Sequence, residues 1–567
     1  MKIKSQLSQI IQAALERADI PSDEEIIISD ASKPEFGDYQ FNGIMKLAKQ
    51  LKKNPREIAN QVIEQIPTEG MIAKVEVAGP GFINIWLSNA WLSDQSSAIL
   101  DDTRVGVGYV EQPEKVIIDY SGPNMAKQMH VGHLRSSIIG DTLATLLAFL
   151  GDEVIRQNHI GDWGTQFGML IAYLEEQGTD SSHQELKDLE QFYKDAKVRF
   201  DESEAFADTA REYVVKIQQG DTHCLQLWQQ FIDSSLRHCE EVYEKLGVNL
   251  TRDDVRAESF YNDRLPAVIT TLQSQNISTT SEGAECVFLE GSDTPIIVQK
   301  GDGGYLYSTT DLAALEYRAK ELQADRICYV VDARQSEHFR QVFTIAKKAK
   351  MVPESVKLEH IAFGTMMDKS GKPFKTRDGG TVKLIDLLDE AVVRAKATIK
   401  ERENQEEIDL DHVATALGIG AVKYADLSIN RESNYLFSWD KMLSFDGNTA
   451  LYMQYAYARI QSIFRKYEGE LSGAIIIGDE LEHRLALMLL KFEDTLTKAA
   501  VEATPHTITA YLYELVTLFM KFYEQNPILK EGVEESTKMS RLQLASLTGK
   551  VIKKGLEILG IEVVDKI

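Results

Sequence analysis

Hydrophobic positions near the start of the chain alternate between helical and extended spacing, which predicts a separate small α+β domain over residues 1–110. The predicted elements are, in order, a helix at about 3–19, a strand at 25–29, a loop at 33–42, a helix at 43–66 and two strands within 73–88. Gly79-Pro80-Gly81 separates the last two strands and is typical of a tight turn.

From residue 111 onward, apolar strand patterns alternate with helical ones, which predicts an α/β domain with a parallel sheet over 111–385. The predicted strands lie at 115–121, 152–159, 294–300, 326–332 and 358–364. After the first strand, Val131, Leu134 and Ile138 begin a helical stripe. Residues 178–260 are helical and highly charged, and we interpret them as an insertion into the alternation.

Beyond residue 385 the pattern is almost entirely helical, with a connecting region at 386–445 and a helical bundle at 446–567. The bundle helices are predicted near 450–467, 480–500, 507–525 and 537–560. The fold class is thus α/β, with an N-terminal α+β domain and a C-terminal α-helical bundle.

The composition limits where the protein works. A chain of 567 residues is too long for a single hydrophobic core and is expected to form several domains. No apolar run approaches the roughly 18 residues that span a bilayer. The first twenty residues lack the apolar core of a secretion signal. The 4 cysteines are far apart and form no CxxC pair, so we expect no structural metal, no disulfide framework and a cytoplasmic location.

The formal net charge of −25 argues against a surface broadly coated by nucleic acid. It leaves open a local basic face on an acidic body.

Two similar segments open predicted helices, "HVGH" at 130–133 and "HIGD" at 159–162. In open α/β sheets, ligands bind at the carboxyl ends of strands, where helix N-termini offer N–H groups to phosphates. His130 and His133 add imidazole donors, Gly132 allows close approach, and Lys127 adds a positive charge. The alternative is a helix start with two ordinary surface histidines.

A basic, glycine-rich loop within 364–384 is anomalous in so acidic a chain. Its cations are Lys369, Lys372, Lys375, Arg377 and Lys383, with Gly371, Gly379 and Gly380 among them. A cationic loop that follows a strand suits closure over a polyphosphate. A solvated surface loop is the alternative.

Tyr307 and Asp311 lie four residues apart where a predicted strand meets a helix. A phenol and a carboxylate that face one pocket are suited to a cationic ligand. Asp311 as a helix cap is the alternative.

Five longer segments occur in order between about residues 30 and 525: "SGPNMAKQMHVGHLRSSIIGD", "NHIGDWGTQFGMLI", "GGYLYSTTDLAA", "GKPFKTRDGGTVKL" and "NTALYMQYAYARI". Together they resemble arginyl-tRNA synthetases, which are class I aminoacyl-tRNA synthetases. The resemblance implies a Rossmann-type catalytic domain, an appended N-terminal domain that contacts tRNA, and a C-terminal anticodon-binding domain.

The implied activity is that of an arginine–tRNA ligase. The carboxylate of L-arginine attacks the α-phosphate of ATP and gives arginyl-adenylate and pyrophosphate. A ribose hydroxyl of the terminal adenosine of tRNA(Arg) then takes the arginyl group. The resemblance also implies Mg²⁺ with the ATP, a monomer, and no membrane or DNA partner.

The resemblance assigns catalysis to His130, His133, Lys127 and Lys375, and ATP binding to His130, Gly132, His133, Lys127, Phe374, Lys375 and Thr376. Arg377 stands where the KMSKS loop of many class I relatives has a second lysine. Lys127, just before the HIGH-like motif, is expected to supply the missing charge.

For arginine, the resemblance assigns Asp119, Asn124, Tyr307, Asp311 and Gln335. Carboxylate and amide acceptors suit a planar guanidinium with five donors. Many relatives have SSPN where this chain has Ser121-Gly122-Pro123-Asn124, so a contact from the second serine hydroxyl is absent or replaced by backbone.

The near copy "HIGD" is also a family motif, and we expect it to be structural. Asp162 at a helix start favours capping over phosphate binding. Gly161, Trp163 and Gly164 are expected to shape the wall of the ATP pocket.

For tRNA, the resemblance assigns Tyr455 and Arg459, four apart on one helix face, and more weakly Tyr39, Gln40 and Asn42. Stacking beside an arginine is suited to unstacked RNA bases. The alternatives are bundle packing for Tyr455 and a solvated side chain for Arg459. Many relatives end in Arg-Met, whereas this chain ends in "VVDKI".

Two other functions remain possible from sequence: a class I synthetase for another amino acid, and a catalytically inactive tRNA-binding relative. The absence of paired cysteines and the acidic candidates count against cysteinyl and glutamyl types. The retained Asn124, Lys127, His130 and His133 count against an inactive protein.

Overall fold

A computed structural model of the chain describes residues 3–21, 25–125, 127–178, 189–291, 294–374, 382–401 and 408–567. Lys375, Thr376, Arg377, Gly379 and Gly380, which belong to the predicted cationic loop, lie outside the described residues.

The N-terminal unit is a four-stranded antiparallel sheet, in the order β1-β2-β4-β3, covered by helices. Its elements are α1 (Ile3–Arg17), β1 (Ile28–Asp30), β2 (Tyr39–Phe41), α2 (Ile44–Leu51), α3 (Pro55–Ile63), β3 (Ile72–Ala78), β4 (Phe82–Leu87) and α4 (Asn89–Ala98). The predicted loop at 33–42 contains strand β2, because Tyr39 and Phe41 point into the core and add a strand between β1 and β4.

The central sheet is parallel, with strand order β11-β10-β5-β6. The elements of its first half are β5 (Lys115–Asp119), α5 (Leu134–Leu150), β6 (Glu153–Gln157) and α6 (Thr165–Glu176). The chain builds β5 and β6 first and then crosses to the other side of β5, so the strand order reverses there. Ligands bind at such switch points, outside the carboxyl ends of the strands.

The interval predicted as an insertion is helical, as expected. It contains α7 (Leu189–Glu202), α8 (Glu204–Gln218), α9 (Thr222–Leu246) and, after it, α10 (Leu265–Ser274). Trp228 of α9 donates its indole N–H to the Asp162 carbonyl at 2.8 Å, which ties this layer to the segment before α6.

The strand predicted at 294–300 is present, but its placement in the parallel sheet is wrong. A separate antiparallel sheet consists of β7 (Ser278–Ser281), β8 (Ala284–Val287) and β9 (Ile296–Gln299). Val298 is fully buried whereas Ile297 is 41% exposed, so only one face of β9 is covered. A strand with one buried and one exposed face is typical of an antiparallel sheet that is covered on one side. Strands of a parallel sheet are usually buried on both faces.

The chain then returns to the parallel sheet. The elements are α11 (Tyr307–Glu316), β10 (Arg326–Tyr329), α12 (Ser336–Lys348), β11 (Lys357–His360) and the two-residue β12 (Met366–Met367). The predicted strands at 115–121, 152–159, 326–332 and 358–364 are thereby confirmed as members of one sheet.

The remaining part is helical, as predicted. Its elements are α13 (Leu384–Lys400), α14 (Leu410–Leu427), β13 (Tyr435–Leu436), α15 (Trp439–Met442), α16 (Ala450–Lys466), α17 (Glu480–Leu490), α18 (Phe492–Glu502), α19 (Pro505–Gln525) and α20 (Glu535–Ile558). We call α16–α20 the bundle. No helix among the described residues is long and apolar enough to cross a membrane.

The bundle packs directly against the N-terminal unit. The Ile475 and Ile477 amides donate to the hydroxyls of Ser97 and Ser93 at 2.9 and 3.2 Å. The His483 ring lies 3.0 Å from the Asp38 carboxylate. These contacts join the N-terminal unit to the bundle.

Candidate active site at the carboxyl edge of the parallel sheet

A cleft of about 900 Å³ opens where β5 and β10 end. Of the residues predicted to bind ATP or arginine, the cleft is lined by Asp119, Asn124, His130, Gly132, His133, Tyr307, Asp311, Gln335 and Phe374. The structure thus brings residues from widely separated segments to one cavity. Lys127 is not among the lining residues.

The HVGH segment forms a short 3-10 turn, Val131–His133, that runs directly into α5. The Gly132 amide donates to Nδ1 of His130 at 3.0 Å, and the His130 amide donates to Nδ1 of His133 at 3.1 Å. Because both Nδ1 atoms accept, each neutral ring carries its proton on Nε2. A Cβ on Gly132 would lie 2.7 Å from the His130 ring, so a larger residue would displace that ring.

Both imidazoles are held neutral. Burial and, to a smaller extent, the neighbouring His130 ring lower the pKa of His133 to about 3. Burial and the charge of Lys127 lower the pKa of His130. The cleft therefore presents uncharged Nε2–H donors at neutral pH.

Lys127 contacts the helical insertion. Its ammonium lies 4.7 Å from the centre of the Tyr193 ring, a cation–π contact with α7. It is nevertheless near enough to His130 to lower the pKa of that ring.

Both described ends of the cationic loop lie at the cleft. Phe374 lines it and packs on Phe437, with 4.6 Å between ring centres. At the other end, the Val131 amide donates to the Val382 carbonyl at 3.0 Å, beside the HVGH turn. The predicted ATP residues Lys375 and Thr376, between these ends, are outside the described residues.

Asp311 lies in the second turn of α11, whose N-cap is Leu306, so the interpretation of Asp311 as a helix cap is wrong. Its carboxylate is 2.6 Å from Nε2 of His338 on α12. Tyr307 begins the same helix and is 73% exposed at the cleft mouth. The phenol and the carboxylate thus share one helix at the cleft.

Glu258 also lines the cleft, and sequence reasoning missed it. Burial raises the pKa of its carboxyl to about 7, and the charges of Asp162 and Asp311 add to the shift. A shifted carboxyl in a cleft is typical of a functional group. No sequence signal distinguishes Glu258 from the many acids of the predicted insertion.

Asp119 reaches the cleft from the end of β5 but is already paired. The buried Arg318 donates to its Oδ2 at 2.6 Å, and the His159 amide donates to its Oδ1 at 3.3 Å. Arg318 is fully buried and also donates to Gln157 at 2.6 Å. The carboxylate is thus held at the cleft wall by an internal guanidinium.

The HIGD segment holds Asn124 in place. The Met125 amide donates to the Gly161 carbonyl at 2.9 Å, and a Cβ on Gly161 would lie 2.3 Å from Oδ1 of Asn124. Glycine is required for this approach, so Gly161 does line the cleft, as expected. Gln335 reaches the cleft from an exposed turn after β10.

The prediction that Asp162 caps a helix is wrong. The N-cap of α6 is Gly164, and Asp162 instead accepts from the Ser259 amide and hydroxyl at 2.9 and 2.5 Å. It anchors the segment that carries Glu258. Trp163 and Gly164 line a separate small apolar pocket with Trp228 and are not among the residues that line the cleft, so their place in the ATP-pocket wall stays a prediction.

The predicted RNA-contacting residues differ in accessibility. Tyr455 and Arg459 are half-buried on α16, with the guanidinium 5.9 Å from the centre of the Tyr455 ring. Gln40 donates to Asn84 at 2.7 Å, and Asn42 is exposed. Tyr39 is fully buried, so the prediction that it contacts RNA is wrong.

Within the described ranges, no three His, Cys, Asp or Glu side chains are grouped closely enough to hold a metal ion.

Family profiles match nearly the whole chain. "Arginyl tRNA synthetase N terminal domain" matches residues 5–87, "tRNA synthetases class I (R), catalytic domain" matches 95–439, and "DALR anticodon binding domain" matches 453–567.

Whole proteins match as well. The arginine–tRNA ligases of Laribacter hongkongensis and Cellvibrio japonicus are 54% and 53% identical to the chain, with 100% of each chain covered. An arginyl-tRNA synthetase structure from Plasmodium falciparum is 31% identical and covers 100% of this chain and 99% of its own, with a TM-score of 0.86. The Thermus thermophilus arginyl-tRNA synthetase, at 23% identity and full coverage of both chains, shares the fold with a TM-score of 0.83.

Proposed function

Because the chain belongs to the arginyl-tRNA synthetases and is an arginine–tRNA ligase, we propose that the cleft at the end of β5 is where both steps of that reaction occur. In the first step, a carboxylate oxygen of arginine bonds to the α-phosphorus of ATP, and the bond to pyrophosphate breaks. In the second step, a ribose hydroxyl of tRNA(Arg) bonds to the carbonyl carbon, loses its proton, and AMP leaves. The single observation that carries the proposal is the convergence of the neutral histidine pair with the acidic residues in one cavity.

His130 and His133 donate from Nε2 to phosphate oxygens in the transition state. Support comes from the backbone amides that occupy both Nδ1 atoms. Donors that are fixed in advance stabilise developing charge without reorganisation. Gly132 keeps the backbone close enough for both rings to act together.

Phe374, Lys375 and Thr376 bind ATP from the cationic loop, and Lys127 adds charge beside the imidazoles. For Lys127 this requires the side chain to leave the Tyr193 ring, a motion that an incoming triphosphate favours by charge. Lys375 and Lys127 then act on the same phosphates.

We propose that Mg²⁺ arrives with ATP and is held by phosphate oxygens and water. This fits a chain whose described residues group no three ligating side chains, because Mg²⁺ commonly keeps several waters and binds through substrate phosphates. When bound, the ion neutralises phosphate charge.

Arginine binds with its guanidinium toward Tyr307, Asp311 and Glu258. Asp119, Asn124 and Gln335 contact its amino and carboxylate end. Asp311 exchanges its contact with His338 for the substrate guanidinium, whose fork of donors matches a carboxylate. Lysine, as a point charge, satisfies such a pocket poorly.

The tRNA contacts the bundle through Tyr455 and Arg459 and the N-terminal unit through Gln40 and Asn42. A further group of cations supports this. Lys49 on α2, Lys52 and Lys53 in the turn that follows it, and Arg56 on α3 are exposed, and no acidic residue occurs between positions 39 and 56. We call these four residues the α2–α3 basic surface. It is a local basic face of the kind that an acidic chain can still carry.

We also propose that the protein is a cytoplasmic monomer that binds no DNA. Support for the reducing compartment is that the 4 cysteines are buried free thiols. Sedimentation of the full chain tests the monomer.

ATP–pyrophosphate exchange with each amino acid, with and without tRNA(Arg), tests the assignment of the cleft. Exchange with arginine alone among the amino acids is expected. Exchange with lysine in place of arginine contradicts the pocket assignment, and no exchange under any condition favours an inactive tRNA-binding protein.

Asp311→Asn is expected to raise the KM for arginine by roughly 30-fold or more, because a partly buried charge partner is removed. The KM for ATP should change by less than about threefold, since Asp311 is not among the residues assigned to ATP. Steady-state exchange kinetics measure both constants. Glu316→Gln, which removes a carboxylate paired with Lys320 on the same helix, is the control. Equal increases in both KM values would contradict the pocket assignment.

A further inference from the structure

Arg135, two residues after His133 in α5, carries a guanidinium that is almost completely buried, with 1% of the residue exposed. Its Nε donates to both carboxylate oxygens of Asp426 at 3.0 Å. Its Nη1 donates to the carbonyls of Gly364 at 2.7 Å and Ser433 at 3.0 Å. One side chain therefore joins α5, α14 and two separate loop segments.

The buried pair is a poor device for stability alone. Removing both charges from water costs more than a surface pair would, and such pairs are often replaceable by apolar residues. A guanidinium that donates to several fixed acceptors instead determines how the segments that carry those acceptors are placed relative to one another. Arg135 borders the cleft, but its hydrogen bonds go to Asp426, Gly364 and Ser433 and not to the cleft acids or the imidazoles.

The Gly364 carbonyl begins the segment that leads through β12 to the cationic loop. This segment is fixed on its other side by residues 431–437. The Thr365 amide donates to Asn434 at 2.7 Å, and the Phe437 amide donates to the Met367 carbonyl at 2.9 Å. Phe374, the last described residue before the gap in the loop, in turn packs on Phe437.

A second arginine continues the connection toward the bundle. Arg431 donates to the Ala362 carbonyl at 2.6 Å and to the Ala503 carbonyl, just after α18, at 2.9 Å. The segment between β11 and β12 is thus held by Arg135 from the histidine side and by Arg431 from the bundle side.

We propose that Arg135 is a positioning residue that sets the segment 364–374, which ends at Phe374, relative to the Nε2 donors of His130 and His133. The proposal rests on the proposed function, because it assigns Phe374 and the imidazoles to the same bound ATP. Arg135 and the histidine pair lie on one continuous 3-10 and α-helical segment, so a shift of the guanidinium moves the imidazoles relative to Phe374.

Arg135→Lys tests the proposal, because lysine keeps the charge but cannot reach Asp426, Gly364 and Ser433 together. A misplacement of about 1 Å can cost roughly 100-fold in rate. We expect kcat for arginine-dependent pyrophosphate exchange to fall by about 10- to 100-fold. The KM for arginine should stay within about twofold, since the acidic pocket is not held by Arg135.

Arg541→Lys is the matched control. Arg541 in the bundle also forms a fork, to Glu482 at 2.8 Å and to the Pro527 carbonyl at 2.9 Å, with its side chain 15% exposed. Its replacement should lower the thermal midpoint of unfolding without changing kcat per active site. Active sites are counted by the burst of adenylate formation in each preparation.

The wild-type protein is the first arm of the experiment. If it shows no arginine-dependent exchange, the proposed function fails independently of Arg135. If it does, a loss of kcat in Arg135→Lys beyond that of Arg541→Lys, at equal active-site count, supports positioning. A loss of stability with unchanged kcat per active site, or a change confined to the KM for arginine, overturns it.

Asp426→Asn provides a second variant in case Arg135→Lys does not fold. It keeps an acceptor oxygen for the guanidinium and removes the charge, and we expect a smaller fall in kcat with unchanged KM for arginine. If neither variant folds, the pair is required for folding and the positioning role is overturned.

Discussion

The imidazole rings of His130 and His133 are both kept neutral and in a fixed tautomer. Their centres are 4.1 Å apart, so two charged rings would repel by roughly 4 kcal/mol at an effective dielectric constant near 20. Burial and proximity keep both neutral, and the backbone amides fix which nitrogen carries the proton. The result is a pair of donors that needs no proton uptake when phosphate arrives.

His133→Gln should retain more exchange activity than His133→Ala, because the glutamine amide places an N–H near the position of Nε2. The alanine variant is expected to lose about 100- to 1,000-fold in kcat, the usual effect of removing one transition-state donor. Pyrophosphate exchange at saturating arginine measures this, and His412→Ala, an exposed histidine on α14, is the control. Equal losses for glutamine and alanine would contradict the Nε2 assignment.

We expect Glu258 to make arginine binding depend on pH. With a pKa raised to about 7, its carboxylate predominates only above that pH, and a bound guanidinium favours the charged form. If only the ionised form binds, the arginine Kd should fall about tenfold between pH 6 and pH 8 and then level off. Calorimetry in buffers of different ionisation enthalpy should show proton release near pH 6.5.

Glu258→Gln should remove this pH dependence while leaving the fold intact. A Kd that changes equally with pH in the variant and the wild type would assign the effect to another group.

Elements differ in how much of their position the sequence determines. The strands at the cleft are short apolar runs bounded by polar residues, and their sheet follows from strand–helix alternation. The apolar run of β9 has the same sequence pattern as these strands, yet β9 pairs in an antiparallel sheet. The pairing partner of a strand depends on residues that are distant in the sequence. Alternation along β2 also explains Tyr39, since Tyr39 and Phe41 face inward and Gln40 is between them.

Site residues that belong to one continuous motif, such as His130 and His133, could be predicted from the sequence. The roles of residues near a helix start could not, because they depend on where the helix begins. Asp162 and Asp311 each fall two or more residues from the expected cap, so the functional and capping interpretations could only be separated by coordinates. Glu258 reaches the cleft from the far end of the predicted insertion, and the buried Arg318 reaches Asp119 from a π-helical turn. Their roles arise from packing between segments.

Helix α16 presents Tyr455 and Arg459 as a pair, with the guanidinium also 5.0 Å from the Tyr523 ring. Tyr455→Ala should weaken tRNA(Arg) binding by roughly 5- to 150-fold, which is the effect of removing one base stack. Filter binding of the full chain measures the Kd. Tyr39→Phe is the control, because it removes a buried hydroxyl without a hydrogen-bond partner among the described residues. An unchanged Kd for Tyr455→Ala would assign this tyrosine to bundle packing.

At the scale of the whole molecule, a net charge of −25 coexists with an RNA substrate because cations are concentrated locally. The α2–α3 basic surface offers exposed cations without intervening acids. Repulsion by the rest of the surface then opposes binding in other orientations, so the acidic body contributes to orientation as well as to solubility.

Replacing Lys49, Lys52 and Lys53 together with glutamine should reduce the salt dependence of tRNA binding. The slope of log Kd against log salt is expected to fall by about 0.9 for each phosphate that the variant no longer neutralises. The control replaces Lys348, Lys350 and Lys357, exposed lysines at or before the amino end of β11, away from the cleft edge. Equal slopes for the two triple variants would exclude the α2–α3 basic surface as a phosphate-binding face.

The hydrogen bond between Ser97 and Ile475 joins positions 378 residues apart. At a translation rate of about 5–20 residues per second, the ribosome needs about 20–75 s to make that interval. Throughout this time Ser93, Ser97 and Asp38 face solvent or a chaperone, since the segment that will cover them does not yet exist. The N-terminal unit is therefore made long before residues 475–483, and the contacts between them can form only after that segment is synthesised.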